Sequence, residues 1–262
     1  MTSRRALLGV GAFALAALAA GDTEAGHRAR TGVAHSRARA VIPRANVPTP
    51  APPVPTPTPI PPRAEPVHRL QDLRPDAPAH AIALTIDDGP QPEWTPKMLD
   101  LLAEHDVKAT FSLIGIQVKE FPRLAQRIVA AGHELCNHTM HHPIPFNELS
   151  AKRVTNEIAE AHARIADVTG ITPKFFRSPG GAWSKRILQT AVEGGMQPID
   201  WDVDPRDWSR PGTAHITRAM LGCRAGDILL CHDGGGDRSE TIKALHTVIP
   251  KLKARGLSFI PL

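Results

Sequence analysis

AIALTIDDGP, residues 81–90, is the segment on which the fold prediction rests. Its first six residues are apolar or favour strands, which indicates a buried β-strand. Two carboxylates, Asp87 and Asp88, follow the strand directly, and a Gly-Pro pair then turns the chain. Adjacent carboxylates repel each other when both are ionised, so a positive partner is expected near them. The alternative interpretation of this segment is an ordinary turn with no other role.

Six further apolar runs follow this one, and helical segments separate them. The strand-like runs are 81–86, 108–115, 133–137, 173–177, 196–201, 227–232 and 257–262. The helical segments lie near 95–105, 121–131, 150–169, 184–194, 212–222 and 237–254. In the longest helix, Ser150 is placed to cap the first turn and Gly170 to end the last one. This alternation predicts an α/β fold with a parallel sheet, and seven such units predict a closed barrel.

The excess positive charge is confined to the first part of the chain. Residues 1–80 contain 10 Lys or Arg and 5 Asp or Glu, whereas residues 81–262 contain 21 of each. The net charge of +5 therefore belongs entirely to the N-terminal region. Because no basic face stands out in the remainder, we expect no nucleic-acid partner.

Residues 1–25 have the pattern of an export signal. Arg4 and Arg5 stand directly before an apolar stretch, residues 6–20, which is too short for a comfortable membrane span. Two interpretations stay open: a twin-arginine signal, and an ordinary secretory signal that happens to contain two arginines. Either one predicts a protein that is secreted or associated with the cell wall. We expect no stable membrane span once the signal is removed.

Residues 26–79 are predicted to be a proline-rich linker. Eleven of the 26 prolines lie in residues 43–66. Proline fixes φ and has no N–H to donate, so this segment is expected to be a disordered, extended spacer of polyproline II type without a core. A ligand for a proline-binding domain is the alternative interpretation. The folded catalytic domain is then predicted to span residues 80–262.

Polar clusters follow five of the predicted strands. They are Asp87 and Asp88, NHTMHHP (137–143), RSPGG (177–181), DWDVDPRDW (200–208) and HDGGGD (232–237). In a parallel barrel the functional groups collect at the carboxyl ends of the strands. If the strand assignments hold, these five clusters meet at one rim and form a site.

The histidine cluster suggests a metal ion. Pro143 biases His142 away from helical geometry, so HTMHH is predicted to be a turn in which His138 and His142 approach one ion. Two neutral imidazoles and one carboxylate, here Asp88, match the ligand set of a catalytic zinc site that leaves a position open for water. Asp87 would then be free to act as a base. His141 can replace His142 as a ligand or merely line the cleft.

In this order and spacing, TIDDGP, NHTMHHP, RSPGG, DPRDW and LLCHDGGGDRSETIKAL resemble the five motifs of the NodB-homology polysaccharide deacetylases, carbohydrate esterase family 4. The resemblance covers residues 80–262. It implies a distorted (β/α) barrel with fewer strands than a full eight, here about seven parallel strands. It also implies a divalent metal ion, with Zn²⁺ preferred and Co²⁺ as an alternative. The reaction would be hydrolysis of an acetyl group, usually from N-acetylglucosamine units and sometimes an O-acetyl group from xylan.

The resemblance also assigns roles to single residues. It implies that Asp87 is the catalytic base and that Arg177 orients it. It implies that His232 is the general acid that protonates the leaving amine and that Asp207 pairs with it. The metal ligands would be Asp88, His138 and His142. The residues expected to contact substrate are Gly180, whose N–H would meet the oxyanion, and Trp208 and Leu230, which would wall the acetyl pocket.

Two positions depart from the family pattern. A tyrosine often follows Arg-x-Pro in the third motif, but this chain has Gly180 there and contains no tyrosine. Trp183 either supplies the missing aromatic wall or is simply a buried residue at the start of a helix. His141 stands where the family commonly has serine. Both departures concern the choice of substrate and leave the implied catalytic atoms in place.

The three cysteines allow three interpretations. Cys136, Cys223 and Cys231 are odd in number, and Cys136 and Cys231 each lie within two residues of a predicted site histidine. They are expected to be buried; a Cys136–Cys231 disulfide and metal ligation are the alternatives.

The sequence therefore predicts a secreted metal-dependent hydrolase with an acetylated polysaccharide or oligosaccharide as its partner. The alternatives are a catalytically inactive carbohydrate- or cell-wall-binding module, and a surface attachment protein whose barrel only supports the linker. The oligomeric state is not predicted.

Overall fold

The computed structural model describes residues 63–262. The predicted export signal, residues 1–25, and the proline-rich part of the predicted linker, residues 26–62, lie outside the described residues. No helix in the described part of the chain is both long and apolar enough to cross a membrane.

Seven strands form one sheet, and every strand pairing in it is parallel. The strands are β1 Ala81–Asp87, β2 Thr110–Leu113, β3 Glu134–Asn137, β4 Phe175–Phe176, β5 Gln197–Pro198, β6 Ile228–His232 and β7 Ser258–Phe259. Their order is β5-β4-β3-β2-β1-β6, and β7 pairs with β1. Six of the strands fall within the predicted runs, and β1 extends one residue beyond its run, to Asp87. The prediction of a distorted (β/α) barrel with about seven parallel strands is confirmed.

Eight α-helices surround or flank the sheet within the described residues. They are α1 Leu70–Leu73, α2 Trp94–Glu104, α3 Gly115–Glu120, α4 Pro122–Ala130, α5 Ala151–Thr169, α6 Lys185–Glu193, α7 Thr213–Leu221 and α8 Ser239–Ala254. Six of them match the predicted segments. The short helices α1 and α3 were not predicted, because four to six residues are too few for a helical period to show. In α5 the Ser150 side chain accepts a hydrogen bond from the Arg153 N–H, and Gly170 ends the helix with φ of 73°.

The segment before β1 belongs to the folded structure. Val67 forms a parallel bridge with Ile199, just after β5, and Arg69 forms an antiparallel bridge with Asp227, just before β6. Leu70 is fully buried. Residues 67–70 thus fill the gap between the two outer strands β5 and β6. Part of the segment expected to be linker therefore packs against the sheet, because the barrel leaves an edge there that needs hydrogen-bond partners.

The alternation of side chains along β1 shows how the barrel places its polar groups. Ile82, Leu84 and Ile86 pack in the main core together with residues of α2 and α8. The intervening small residues Ala81 and Ala83 belong to a second, separate cluster that includes Leu70. Because successive side chains point to opposite faces of a strand, Thr85 and Asp87 lie on the same face as Ala81 and Ala83. That face is the interior of the barrel.

Candidate active site

The five predicted polar clusters lie at the carboxyl ends of the strands. Asp87 is the last residue of β1, and His232 is the last residue of β6. The other clusters directly follow β3, β4 and β5 along the chain. In the parallel register of β1 and β6, Asp87 is the direct partner of His232. The structure therefore brings together the two groups that the sequence predicts to be base and acid.

Asp88, His138 and His142 form one cluster. Oδ1 of Asp88 lies 3.3 Å from Nε2 of His142 and 3.6 Å from Nε2 of His138. One ligand atom from each of the three residues lies within 4.8 Å of the other two. Oδ1 of Asp88 is buried and has no hydrogen-bond partner among the described residues. A buried carboxylate oxygen without a donor is what a cation site requires, so these residues fit a divalent metal ion.

His138 is oriented by a backbone carbonyl. Its Nδ1 lies 2.8 Å from the carbonyl oxygen of Arg177, so Nδ1 carries the proton and donates it there. Nε2 is then left as a free lone pair that faces Asp88. Burial lowers the pKa of His138 to about 4, against the opposing effect of Asp87. The imidazole is therefore neutral near pH 7, the form that can ligate a metal.

His141 points away from this cluster. Its Nδ1 lies 3.0 Å from Oε1 of Glu157, and more than half of its side chain is exposed to solvent. His142 faces Asp88 instead, and the rings of His138 and His142 lie 4.8 Å apart between centroids. Of the two alternatives that the sequence left open, the geometry favours His142 as the ligand.

Asp87 is held by a buried guanidinium. Nη1 of Arg177 donates to Oδ1 of Asp87 at 2.9 Å and to Oγ1 of Thr85 at 2.7 Å, and Nη2 donates to the backbone oxygen of Asp200 at 3.0 Å. Burial by itself would raise the pKa of Asp87. The positive charge of Arg177, together with the nearby imidazoles of His138 and His232, has a larger effect in the opposite direction. The pKa of Asp87 is therefore lowered from its ordinary value. Asp87 is ionised at neutral pH.

The environment of His232 shifts its pKa in the opposite direction, upward. Its Nδ1 lies 2.7 Å from Oδ1 of Asp207, and its backbone N–H donates to Oδ2 of the same carboxylate at 2.9 Å. The hydroxyl of Thr241 also donates to Oδ2 of Asp207 at 2.8 Å. Burial alone would lower the pKa of His232, but the hydrogen bond and charge of Asp207 raise it to about 9. His232 is therefore protonated near pH 7, with its Nε2 free to donate.

The three predicted substrate-binding residues differ in exposure. Gly180 is exposed and has φ of 62°, a left-handed conformation that glycine adopts at little cost. The hydrogen bonds of its turn come from the N–H groups of Gly181 and Ala182, so the Gly180 N–H is not used there. Trp208 is 48% exposed, and the Arg206 guanidinium lies 5.1 Å from its ring centroid. Leu230 is 3% exposed and lies two residues before His232 on β6, hence on the same face.

The side chain of Trp183 is partly buried, hydrogen-bonded and packed against another ring. Its Nε1 donates to Oδ2 of Asp200 at 2.9 Å, and its ring packs edge-on against Phe176 at 5.9 Å. This contact supports the interpretation that Trp183 is a packing residue at the start of α6. The aromatic wall expected from the family pattern is not supplied at this position by an exposed ring.

The three cysteines are free and buried. Cys136 packs in the cluster inside the barrel, and Cys231 packs between the sheet and the helices. They therefore lie on opposite faces of the sheet, which excludes the alternative of a disulfide between them. Burial raises the pKa of Cys136 to about 12 and that of Cys223 to about 11, so both remain thiols, which are poor metal ligands.

Several residues of the site were not predicted from the sequence. Thr85 accepts a hydrogen bond from Arg177. It lies two residues before Asp87 on β1, so the period of a strand places both side chains on the same face, and this signal was present in the sequence. Thr241 comes from α8 and Glu157 from α5, and no local pattern links either residue to the rim. Asp233 accepts a hydrogen bond from Thr95 at 2.6 Å, and burial raises its pKa to about 7. It belongs to the predicted cluster 232–237, but the sequence predicted no role for it.

The parallel barrel carries an acid–base pair and a candidate metal-ligand cluster at its rim, an arrangement typical of a hydrolase, and comparison with known proteins identifies the family. The family profile described as polysaccharide deacetylase matches residues 74–199. A peptidoglycan-N-acetylglucosamine deacetylase of Bacillus cereus is 40% identical over 182 residues, which cover 68% of this chain and 84% of that protein. A chitooligosaccharide deacetylase of Sinorhizobium fredii is 42% identical over 190 residues, with coverages of 68% and 88%.

A solved structure supports the same conclusion. The Bc1960 peptidoglycan N-acetylglucosamine deacetylase, in complex with 4-naphthalen-1-yl-N-oxidanyl-benzamide, superposes with a TM-score of 0.68 at 36% identity. The match covers 71% of this chain and 88% of that one. The chain therefore belongs to the NodB-homology polysaccharide deacetylase family, carbohydrate esterase family 4.

Proposed function

We propose that this protein is an exported, metal-dependent deacetylase that removes the N-acetyl group from N-acetylglucosamine units of a polysaccharide or oligosaccharide. The observation that carries the proposal is the pairing of Asp87 with His232 across β1 and β6. One of these groups is biased to be ionised and the other to be protonated. Amide hydrolysis needs both forms at once, a base for the attacking water and an acid for the leaving amine.

The first half of the reaction depends on Asp87. Its carboxylate is kept ionised by Arg177 and accepts a proton from the attacking water. Asp88, His138 and His142 would hold the divalent cation, Zn²⁺ in the first place and Co²⁺ as the alternative. When bound, that cation supplies Lewis-acid polarisation of the acetyl carbonyl and lowers the pKa of water. The unused N–H of Gly180 is available to donate to the developing oxyanion.

The second half depends on His232. Its imidazolium donates a proton to the nitrogen of the leaving amine, which departs poorly without one. Asp207 holds Nδ1 of the ring, so that Nε2 is the atom that donates. Leu230, on the same face of β6, would limit the space for the acetyl methyl group. The exposed ring of Trp208 would form the outer wall of the same pocket and contact the sugar.

A sugar polymer as the substrate is supported by the relatives and by the surface. The relatives at 40% and 42% identity are named as deacetylases of peptidoglycan N-acetylglucosamine and of chitooligosaccharides. A groove of about 510 Å³ is lined by residues that follow β1 and β6, among them Gln91, Trp94 and Gly236. None of the predicted acid, base or metal-ligand residues lines this groove, which would give room for a neighbouring sugar unit. Export is supported by the sequence pattern of residues 1–25.

The test is acetate release from a panel of substrates with and without a chelator. The panel contains chitin oligomers, peptidoglycan and acetyl xylan. We expect release from the N-acetylated substrates, loss of activity after dialysis against a strong chelator, and recovery with Zn²⁺ or Co²⁺. Full activity in a metal-free sample would exclude the metal assignment. Binding of the sugars without any acetate release would favour an inactive carbohydrate-binding module instead.

A further inference from the structure

The turn between the two histidines of the metal cluster has an unusual backbone. Thr139 has φ of 67° and His142 has φ of 54°, so two residues with side chains adopt the left-handed region within four positions. Such residues persist only where the surroundings determine the conformation. The turn therefore needs contacts from outside itself if it is to aim both imidazoles at Asp88.

The backbone N–H groups of Gly115 and Ile116 in α3 supply some of these contacts, at 2.9 and 2.8 Å to the carbonyl oxygens of Thr139 and Met140, and helix α5 supplies others through Glu157. This residue lies on the apolar face of the helix between Val154, Ile158 and Ala161, and it is 7% exposed. A carboxylate on the buried face of a helix is costly unless each oxygen accepts a hydrogen bond. No Lys or Arg lies within salt-bridge distance of Glu157 in the described part of the chain. Its hydrogen bonds go to the turn instead.

Both oxygens of Glu157 contact His141. Oε2 accepts the backbone N–H of His141 at 2.8 Å, and Oε1 accepts from the imidazole Nδ1 of His141 at 3.0 Å. In addition, the backbone oxygen of Glu157 accepts the N–H of Met140 at 2.9 Å. Two of the three residues between His138 and His142, Met140 and His141, are thus hydrogen-bonded to one residue of α5.

We propose that Glu157 is a positioning residue that sets the metal affinity of the site by holding the turn that carries His138 and His142. His141 has a defined part in this arrangement, because its ring gives the second carboxylate oxygen a partner. The inference rests on the proposed metal site, and it concerns affinity rather than the chemical step. Residues that orient metal ligands in this way affect metal affinity by about 10- to 100-fold when they are removed.

Three variants test the proposal. Glu157→Met removes both acceptors but keeps an unbranched side chain of similar length, so the buried site stays filled. Glu157→Gln keeps the shape and preserves both contacts if His141 adopts its other tautomer, since the amide oxygen accepts the N–H and the amide NH₂ donates to Nδ1. Glu160→Met is the matched control, because Glu160 is exposed on the same helix.

The main readout is the Zn²⁺ dissociation constant, measured by competition with a chromophoric chelator. We expect Glu157→Met to weaken Zn²⁺ binding by about 10- to 100-fold. Glu157→Gln should stay within about threefold of the wild type, and Glu160→Met should not change the affinity. At saturating Zn²⁺, Glu157→Met should recover most of its kcat, because the reacting groups are intact. Thermal unfolding of the metal-free proteins shows whether each variant is folded.

The outcomes separate this proposal from the proposed function. If the wild type binds no Zn²⁺, the proposed metal site is wrong. If the wild type binds Zn²⁺ and Glu157→Met binds it equally well, the proposed role of Glu157 is wrong, whatever the activity. If Glu157→Met does not fold, His141→Ala replaces it, since this change removes only the ring contact. We then expect a measurable loss of Zn²⁺ affinity that is smaller than the about 10- to 100-fold loss expected when both contacts are removed, and an unchanged affinity overturns the proposal.

Discussion

Nη1 of Arg177 lies 2.9 Å from Oδ1 of Asp87, and the two side chains are 0% and 3% exposed. Arg177 comes from the end of β4 and Asp87 from the end of β1, so two strands separated by β2 and β3 meet through this pair inside the barrel. A buried ion pair is weak evidence of stabilisation, because both charges lose their hydration. Removing one partner of the pair is strongly destabilising, because the remaining buried charge then has no partner.

We predict that Arg177→Met lowers the free energy of unfolding by about 3–5 kcal/mol at pH 7 and abolishes most activity. Urea unfolding measures the first effect, and the exposed Arg123 provides the control Arg123→Met. The arginine lowers the pKa of Asp87, so its stabilising effect is fully present above the ordinary value of 3.8 and is lost as pH falls below it. The difference between wild type and variant should therefore shrink in acid. An equal loss of stability at pH 7 and pH 3 would contradict this account.

The two adjacent carboxylates should respond differently to substitution. Asp88→Asn is expected to lose bound metal, because Oδ1 of Asp88 is the orphaned oxygen that faces both histidines. Asp87→Asn is expected to keep its metal but lose most of its turnover, because the base is gone. Metal content after dialysis and acetate release measure the two effects. Equal metal loss in both variants would mean that the carboxylates share one role.

His232→Ala should reduce release of an N-linked acetyl group more than release of an O-linked or activated aryl acetate. An alkoxide or phenolate leaves more easily than an unprotonated amine, so the acid matters less for esters. Loss of one positioned acid typically costs about 10²- to 10⁴-fold. The exposed His215 on α7 provides the control His215→Ala. The same fold-loss on amide and aryl ester would show that His232 has a structural or binding role.

The basic limb of the pH–rate profile should report His232. A raised pKa of about 9 means that the acid is present below that pH and is lost as pH rises through it. A bound cation opposes the contribution of Asp88 to this shift, so the limb is expected at or below about pH 9. Asp207→Asn removes the main partner and should move the limb to lower pH, whereas Asp204→Asn, an exposed residue of the same loop, should not. A limb that stays in place in Asp207→Asn would mean that another group causes it.

Leu70 tests the role of the segment that precedes β1. Leu70→Ala should destabilise the protein by about 2–5 kcal/mol, because the side chain is fully buried in the cluster inside the barrel. Leu73→Ala in the same short helix removes a half-buried side chain and should cost less. Thermal or urea unfolding measures both. Equal, small effects would indicate that residues 67–70 contribute little to closing the barrel.

Much of the fold could be predicted because it depends on local patterns. The alternation of β1 between Ile82, Leu84 and Ile86 on one face and small or polar residues on the other is a property of seven consecutive residues. The same holds for the cap at Ser150 and the left-handed end at Gly170. These features determined the parallel barrel and the rim at which the motifs would meet.

The contacts that position the site depend on residues far apart in the chain. The geometry that favours His142 over His141 as the proposed ligand depends on Glu157, 16 residues after His141, which hydrogen-bonds His141 while His142 faces Asp88. The closure of the barrel by Val67 depends on Ile199, and the support of Arg177 depends on Thr85. The sequence by itself determined which elements form and which residue types gather at the rim, since periodicity and turn chemistry act over a few residues. Only the tertiary structure decided which side chains touch, because hydrogen bonds and ion pairs require contact within about 3–4 Å between groups that strand register and helix packing bring together.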